Sequence, residues 1–446
     1  MNNKTIYALS TVLGKSGVAI VRVSGSDAFS VIKYMTDIKD DEIKPRYAYF
    51  CKIHGLDGRH IDNSLVIYFK SPNSFTGEDV VEIHCHGSKA VISLLLQNLS
   101  EIQNFRMAEA GEFSKRAFYN NKMDLTEAEG LADLIDAETS EQQKFAIRQM
   151  GGELKNLYDG WRTDLVNILS HIEAYIDFPD ENIPEDIVQN MENTVFKVKK
   201  DIQKHLSQNN YGERLRDGFR VVIVGEPNAG KSSLLNVLAK REAVIVSDIA
   251  GTTRDAVDIY MDIGGYPVIF TDTAGIRNTE QQIEKKGIEI AFDKARDADL
   301  IILLADGRNV NSGLVPDELD DCKNKIIIVI NKSDLLNSEQ CSKYSKQGFI
   351  VISARQKQGI DELISQINKK ISSAFTDNSS GLITRQRYRE ILNAVFKELD
   401  NFSLNKPIEL AAEDIRLAAR NIGKITGHIE VDEILDKIFG SFCIGK

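Results

Sequence analysis

Hydrophobic spacing divides the chain into stretches of different period. Up to about residue 119, apolar and polar positions alternate in short runs: GVAIVRVSG (17–25), RYAYFCKI (46–53), SLVIYFK (64–70) and VVEIHCH (80–86). Period-two alternation is the pattern of half-buried strands. SKAVISLLLQNL (88–99) instead repeats its apolar residues at helical spacing, so residues 1–119 are expected to form an α+β domain. From 120 to 213 the period lengthens to that of helices, in LTEAEGLADLIDA, WRTDLVNILSHIEAYI and VFKVKKDIQKHL. Residues 214–376 alternate apolar strand-like runs with helical patterns, which predicts an α/β unit with a parallel sheet. After DNSSG (377–381) helical spacing resumes in RQRYREILNAVFKEL, DIRLAARNIGKI and VDEILDKIF. The simplest architecture is a multidomain chain: an amino-terminal α+β domain, then a helical domain split into 120–213 and 377–446 by an inserted α/β domain, 214–376. QNNYGERLRDG (208–218) and FTDNSSG (375–381) read as polar, glycine-containing linkers.

The inserted segment carries the clearest chemistry. Gly225, Gly230, Lys231 and Ser232 in GEPNAGKS fit G-x-x-x-x-G-K-S, and the run follows the apolar stretch FRVVIV and opens into the helical pattern SLLNVLA. That context is what a phosphate-binding loop requires. Its glycines let successive N–H groups face phosphate oxygens, and the helix start adds its positive dipole end. Asn228, Ala229, Gly230, Lys231, Ser232 and Ser233 are the expected phosphate contacts. Lys231 would reach the β- and γ-phosphates and Ser232 would ligate Mg²⁺.

Four later segments select the base and the switch. Gly251, Thr252 and Thr253, within the loop Ser247–Asp248–Ile249–Ala250–Gly251–Thr252–Thr253, resemble a first switch, with Thr253 a second Mg²⁺ ligand. Asp272, Thr273, Ala274 and Gly275 follow PVIF, Asn331, Lys332 and Asp334 follow KIIIVI, and Ser353, Ala354 and Arg355 follow FIVI. A carboxylate at Asp334 can accept from the ring N–H and the amino group of guanine together, a donor pair that adenine lacks. The expected nucleotide is GTP. Ile276 stands where small switch proteins place a water-orienting Gln, so hydrolysis needs another group, with Arg254, Arg277 and Glu284 nearby.

These residues resemble the translation-factor-related P-loop GTPases, and within them the bacterial and organellar tRNA-modification GTPases. EPNAGKSSLLN, SDIAGTTRD, DTAGIR, PNSFTGEDVVEIHCHG (72–87), AGEFSKRAFYNNKMDLTEAEGLADLI and the terminal SFCIGK carry the resemblance from end to end. It implies K⁺ held by Asn228, Ser247, Ile249 and Thr252, and Glu284 as a catalytic group acting through water. Ser247 replaces a threonine usual in that family. It implies a reduced folate (5-formyl- or methylene-tetrahydrofolate) at Arg22, Glu82, Lys122 and Lys446, and a tail thiol at Cys443. It also implies a homodimer that joins an FAD-containing MnmG-type partner in a heterotetramer and modifies carbon 5 of the wobble uridine of certain tRNAs. The product would be carboxymethylaminomethyl- or aminomethyl-uridine. The runs VVEIHC and SLVIYF are expected at sheet edges, available for pairing across the dimer. The alternatives are a ribosome-assembly GTPase of the Era/EngA type and a non-enzymatic GTP-gated switch.

Composition adds limits. Hydrophobic content of 42% and charged content of 27% describe a globular protein, and the net charge is −11. Bulk charge gives no support to RNA binding, so any tRNA contact must rest on a local patch or a partner. The five cysteines form no C-x-x-C pair, which fits a reducing compartment. The amino terminus shows neither an apolar signal core nor an Arg-rich amphipathic pattern, so a cytoplasmic protein without membrane attachment is expected. His84-Cys85-His86 is not expected to bind zinc. On a strand the two histidines face away from the cysteine, and two ligands make a poor site.

Overall fold

The computed structural model describes residues 4–178, 184–207, 211–241, 258–272, 292–310, 314–373, 383–429, 435, 438–440, 442 and 444–445. They fall into two compact units, one of residues 1–132, 150–177 and 408–446, the other of 133–149 and 178–407.

The first unit is built on a six-stranded sheet of β1 (Thr5–Leu9), β2 (Ser16–Ser24), β3 (Ala48–His54), β4 (His60–Phe69), β5 (Val80–Gly87) and β6 (Phe105–Met107), in the order β3-β4-β5-β2-β1-β6. All neighbours are antiparallel except β1 and β6. The alternation read from the sequence becomes two faces. On one, Val21, Val23, Ile83 and Cys85 pack with α1 (Ser30–Met35) and with Ile92, Leu95 and Leu99 of α2 (Lys89–Glu101). Each of these fully buried aliphatic side chains stabilises the unit by about 2 kcal/mol. The other face carries Arg22 opposite Glu82, and Ile6 and Ala8 under Phe113 of α3 (Glu112–Tyr119).

The strands SLVIYF and VVEIHC lie inside this sheet as β4 and β5, and β3 and β6 form its edges. The expectation that they are pairing edges is therefore wrong. An alternating apolar run marks one covered face, and an interior strand shows it as readily as an edge strand.

Helix α4 (Leu125–Ile135) begins on a reciprocal cap. The Asp124 carboxylate accepts the Glu127 N–H (2.7 Å), and the Glu127 carboxylate accepts the Asp124 N–H (2.7 Å). In the same unit α6 (Glu153–Asp177) runs antiparallel to α13 (Ile408–Thr426), with Arg416 on Glu173 near one end and His428 on Asp159 near the other. Buried alanines at 411, 412, 418 and 419 let the helices approach closely.

The second unit contains a sheet of β7 (Phe219–Val224), β8 (Asp258–Ile263), β9 (Tyr266–Asp272), β10 (Leu300–Asp306), β11 (Ile326–Asn331) and β12 (Ile350–Val351). Its order is β12-β11-β10-β7-β9-β8, parallel except for β8. The apolar runs FRVVIV, PVIF, KIIIVI and FIVI are four of these strands, buried from both sides. Helices α9 (Lys231–Arg241) and α11 (Ile360–Ser373) supply Leu234, Leu235, Leu238, Ile360, Leu363 and Ile367 to one side. The long α7 (Glu185–Leu206) packs antiparallel on α12 (Gln386–Asn401): Lys199 meets Asp400, and Arg389 donates to the Leu206 carbonyl.

One expected linker is a helix. Tyr211–Asp217 forms α8, held by a 2.6 Å Arg214–Asp299 ion pair and by burial of Leu215. The helix then stops at Gly218, whose φ of +100° lets its N–H turn back to the Arg214 carbonyl at 2.7 Å. The polar composition of the segment hid these contacts, which come from residues distant in sequence.

Candidate nucleotide-binding site

The carboxyl ends of the parallel strands gather the predicted motifs. In an open α/β sheet this is where ligands bind, next to the point where strand order reverses. Here β7 lies between β9 and β10, and the loop 225–230 leaves it for the start of α9. Asp272 ends β9 beside Ile223 of β7, directly before that loop.

The loop's glycines are demanded by contact. A Cβ at Gly225 would lie 2.1 Å from the Leu304 carbonyl oxygen, and one at Gly230 would lie 2.3 Å from Nδ2 of Asn331. Gly230 also has φ +100°, and Asn228 has φ +65°, so the backbone turns sharply on both sides of Ala229. Lys231 donates its ammonium to the carbonyls of Gly225 (2.8 Å) and Glu226 (3.1 Å), which holds its charge over the loop. Ser232 and Ser233 lie exposed in the first turn of α9.

Asn331 joins three segments that are far apart in sequence. It is buried, donates from Nδ2 to the Ala229 carbonyl (2.8 Å), and accepts at Oδ1 from the Ala354 N–H (3.0 Å). The phosphate loop and the two base-side loops are thereby fixed to one side chain. Asp334 accepts from the Ser353 hydroxyl at 2.5 Å, and that hydroxyl accepts from the Gln356 N–H at 3.1 Å. The carboxylate is thereby held in one orientation. Arg355 is exposed.

Asp306, at the end of β10, is a part of this site that the motifs did not reveal. Lys332, held at φ +66°, donates its ammonium to Asp306 at 2.8 Å, and Arg308 pairs with the same carboxylate at 2.7 Å. The Arg308 guanidinium, and with it Lys332, holds this carboxyl well below the usual carboxylate range. The available signal was its place: an acid closing the apolar run LIILLAD. Ser247 to Thr253, Thr273 to Gly275 and Glu284 lie outside the described residues, as do Arg254, Ile276 and Arg277.

In the first unit Arg22 and Glu82 do meet. Their side chains form a 2.9 Å ion pair, with only 21% and 15% of each exposed. The Arg22 guanidinium lies 5.4 Å from the Phe75 ring and 5.8 Å from the Phe113 ring. It is thus a packed cation rather than an outward-facing charge. Phe75 and Phe113 were missed because nothing local marks an aromatic on a loop or helix as a cover for an arginine on a strand.

Lys122 donates to the Pro72 carbonyl (2.8 Å), on the loop that leads to Phe75. Arg116, between Glu78 (2.9 Å) and Glu112 (3.0 Å), ties that loop to α3. The tail reaches the same sheet: Ile444 bridges to Ala110, and Ser10 donates to the Gly445 carbonyl at 3.0 Å. Cys443 and Lys446 lie outside the described residues. His84 turns to Glu82 (3.2 Å) and His86 to Asp62 (2.8 Å), while Cys85 is buried on the other face. Among the described residues no group of acids, histidines and cysteines is arranged to hold a metal ion, and no helix is long and apolar enough to cross a membrane.

Comparison with known proteins agrees with these features. The family model described as "GTP-binding protein TrmE N-terminus" matches residues 5–122, and that described as "MnmE helical domain" matches 125–443. The tRNA modification GTPase MnmE of Rickettsia bellii (strain RML369-C) is 47% identical over 99% of this chain and 100% of the relative. That of Wolbachia pipientis subsp. Culex pipiens (strain wPip) is 47% identical over 100% and 99% respectively. Identity of this extent, through the amino-terminal sheet as well as the phosphate loop, shows that the chain belongs to the MnmE family of tRNA modification GTPases, enzymes that bind and hydrolyse GTP.

Proposed function

We propose that the chain uses GTP hydrolysis to drive modification of the wobble uridine in tRNA, at carbon 5, together with an FAD-containing partner of the MnmG type. The observation that carries this is Asn331, which ties the phosphate loop and the base-side loops into one GTP-reading constellation in a chain of this family. In the reading, Asp334 pairs with the two guanine donors while Ser353 holds its orientation. The N–H groups of Ala229 to Ser233 face the phosphates and Lys231 transfers its ammonium from loop carbonyls to them. Ser232, with Thr253, holds Mg²⁺; its exposed hydroxyl at the start of α9 fits that part. Asn228, exposed on a left-handed turn, fits a K⁺ ligand alongside Ser247, Ile249 and Thr252. When bound, these cations supply positive charge against the phosphate oxygens. Glu284 orients the attacking water, in place of the glutamine that Ile276 excludes.

The chain acts as a cytoplasmic homodimer in which two nucleotide-binding domains approach on GTP binding, within a heterotetramer with the partner. Domain limits of 1–119, 120–213, 214–376 and 377–446 belong to the same reading. Arg22, Glu82, Lys122 and Lys446 hold a reduced folate that donates the one-carbon unit. The support is a half-buried Glu82 carboxylate paired with Arg22, whose guanidinium lies against two aromatic rings, a setting that suits a flat heterocycle with adjacent donors. Cys443 supplies a thiol in the same tail. A ribosome-assembly role is disfavoured by full-length identity to tRNA modification GTPases. A non-enzymatic switch is disfavoured by GTPase family membership.

The test is mass spectrometry of wobble uridine from cells lacking the chain and from cells carrying Glu284→Ala. Loss of the modification in both, with GTP binding retained in the variant, is the expected result. Full modification in the variant would separate hydrolysis from tRNA chemistry and reject the coupling.

A further inference from the structure

A chain of net charge −11 that acts on RNA meets it either through a local cluster of positive charge or through a partner. One exposed helix face in the second unit carries such a cluster. Along the carboxyl-terminal half of α7, Met191, Val195, Val198, Ile202 and His205 are buried. The opposite side presents Asn193, Phe196, Lys197, Lys200, Gln203 and Lys204, all exposed. At one residue per 100°, Phe196 and the three lysines fall within an arc of about 100°. No acid lies within that arc; Glu192 and Asp201 border it.

Three features separate this face from an ordinary solvated stripe. Among the described residues, none of Lys197, Lys200 and Lys204 is in an ion pair, whereas Lys199, on the flank, is already paired with Asp400. Phe196 is 68% exposed in the middle of the cations, held there by a helix whose other side is fully packed. The lysines, at i, i+3 and i+7, span about 10 Å along the axis, so one helix can meet successive phosphates without rearrangement.

Cations that bind a backbone and an aromatic that stacks on an unpaired base are the two components of single-strand and loop recognition in RNA. We propose that this face of α7 docks the tRNA substrate, with Lys197, Lys200 and Lys204 on backbone phosphates and Phe196 against an unstacked base. The proposal rests on the tRNA-modification reading and adds to it a place of contact. A protein partner is the less fitting occupant. Interface cores are depleted in lysine, and here lysine supplies most of the charge.

The experiment uses the full chain and an unmodified tRNA transcript carrying a wobble uridine, with binding measured across a salt series. The triple variant Lys197→Gln/Lys200→Gln/Lys204→Gln is expected to bind about tenfold more weakly near physiological salt. Its salt slope should fall by about 2, since each lost phosphate contact removes roughly 0.7–0.9. Phe196→Ala should weaken binding severalfold and leave the slope unchanged. Thermal midpoint and basal GTP hydrolysis should match the wild type, because none of these side chains is buried or belongs to the nucleotide-binding motifs.

Wild-type affinity and slope in the triple variant would overturn the proposal, as would an absence of measurable tRNA binding by the wild-type chain. Loss of the complex with the FAD-containing partner, with tRNA binding intact, would reassign the face to that protein and overturn it as well. Normal wobble modification in cells lacking the chain is a separate outcome: it would remove the underlying functional reading, whatever α7 binds.

Discussion

In the second unit, Asn331 closes β11, and Asp334 and Ser353 stand just past the ends of β11 and β12. In the first, Arg22 and Glu82 stand inside β2 and β5, directly opposite one another. The loop-borne group is spelled out in contiguous motifs, because a loop that wraps a phosphate or a base must carry its donors and glycines at fixed local offsets. The strand-borne pair has no local spelling. It exists because two strands took one register, and a slip of one residue would turn either side chain to the other face. A site on loops can lose its ligand while the sheet beneath it stands. A site within strands cannot lose a member without cost to the fold.

The largest test of that contrast is Asp334→Asn. Replacing an acceptor pair with a donor should weaken GTP binding by about a hundredfold or more, two charge-assisted bonds being lost, with little change in thermal midpoint. Xanthosine triphosphate, which offers a carbonyl where guanine has its amino group, should recover part of the affinity. Calorimetric titration with both nucleotides decides it, and near-normal GTP binding would show that Asp334 does not read the base.

A pH titration is next in size and concerns the scaffold of the nucleotide-binding unit. Burial, helped by the nearby Arg389 charge, holds His205 neutral and pushes its pKa down to about 4. The unfolded chain takes up that proton near pH 6.5, so stability should be complete above this value and decline as pH falls from about 6.5 to 4. The contribution at stake is about 3 kcal/mol. Urea midpoints at pH 7 and pH 5 should differ in the wild type and converge in His205→Phe; an unchanged gap would place the titration elsewhere.

Arg22→Ala should have a smaller effect of opposite kind. It strands a half-buried Glu82 and empties the space between Phe75 and Phe113, at a cost of about 2 kcal/mol to the first unit. GTP affinity should stay at the wild-type value. A double-mutant cycle with Glu82→Gln measures the coupling, and strict additivity would mean that the pair is not held together in solution.

The smallest prediction is Asp124→Asn. Burial raises the Asp124 pKa to about 6, although the cap bonds from the Glu127 N–H and the Thr126 hydroxyl oppose the shift. A raised carboxyl favours the protonated native state, so its contribution is present below about pH 4 and lost as pH rises through 6. Asparagine keeps the capping oxygen and never ionises. The variant should therefore gain about 1 kcal/mol at pH 8 and nothing at pH 5, a slope opposite to that of His205. Equal effects at both pH values would contradict it.

Much of the fold could be read in advance where the pattern was long and periodic. The strands ending at Val224, Asp272, Asn331 and Val351, and the helices α2, α6, α7, α12 and α13, follow the predicted runs. Short elements escaped: β1 and β6 are five and three residues long, too short to show a period, and they are held by pairing, β1 with β2 and β6 with β1. The edge assignment of VVEIHC and SLVIYF failed for a related reason. Apolar alternation says that a strand is covered, not how many strands lie beyond it. The contacts that define Asp306 and α8 were hidden because their partners, Lys332 and Asp299, come from elsewhere in the chain.

The sequence by itself determined the phosphate loop, the motif segments at the strand ends and the alternation that makes each sheet two-faced, since these depend on bond geometry and on neighbours within a few positions. Tertiary structure alone decided that Asn331 would bind two loops at once, that Arg22 would lie packed between Phe75 and Phe113 against Glu82, and that the lysines of α7 would share one face with an exposed Phe196. Those outcomes turn on strand register and on which side of a helix is buried. Both are set by packing over the whole unit, which no local stretch of residues can specify.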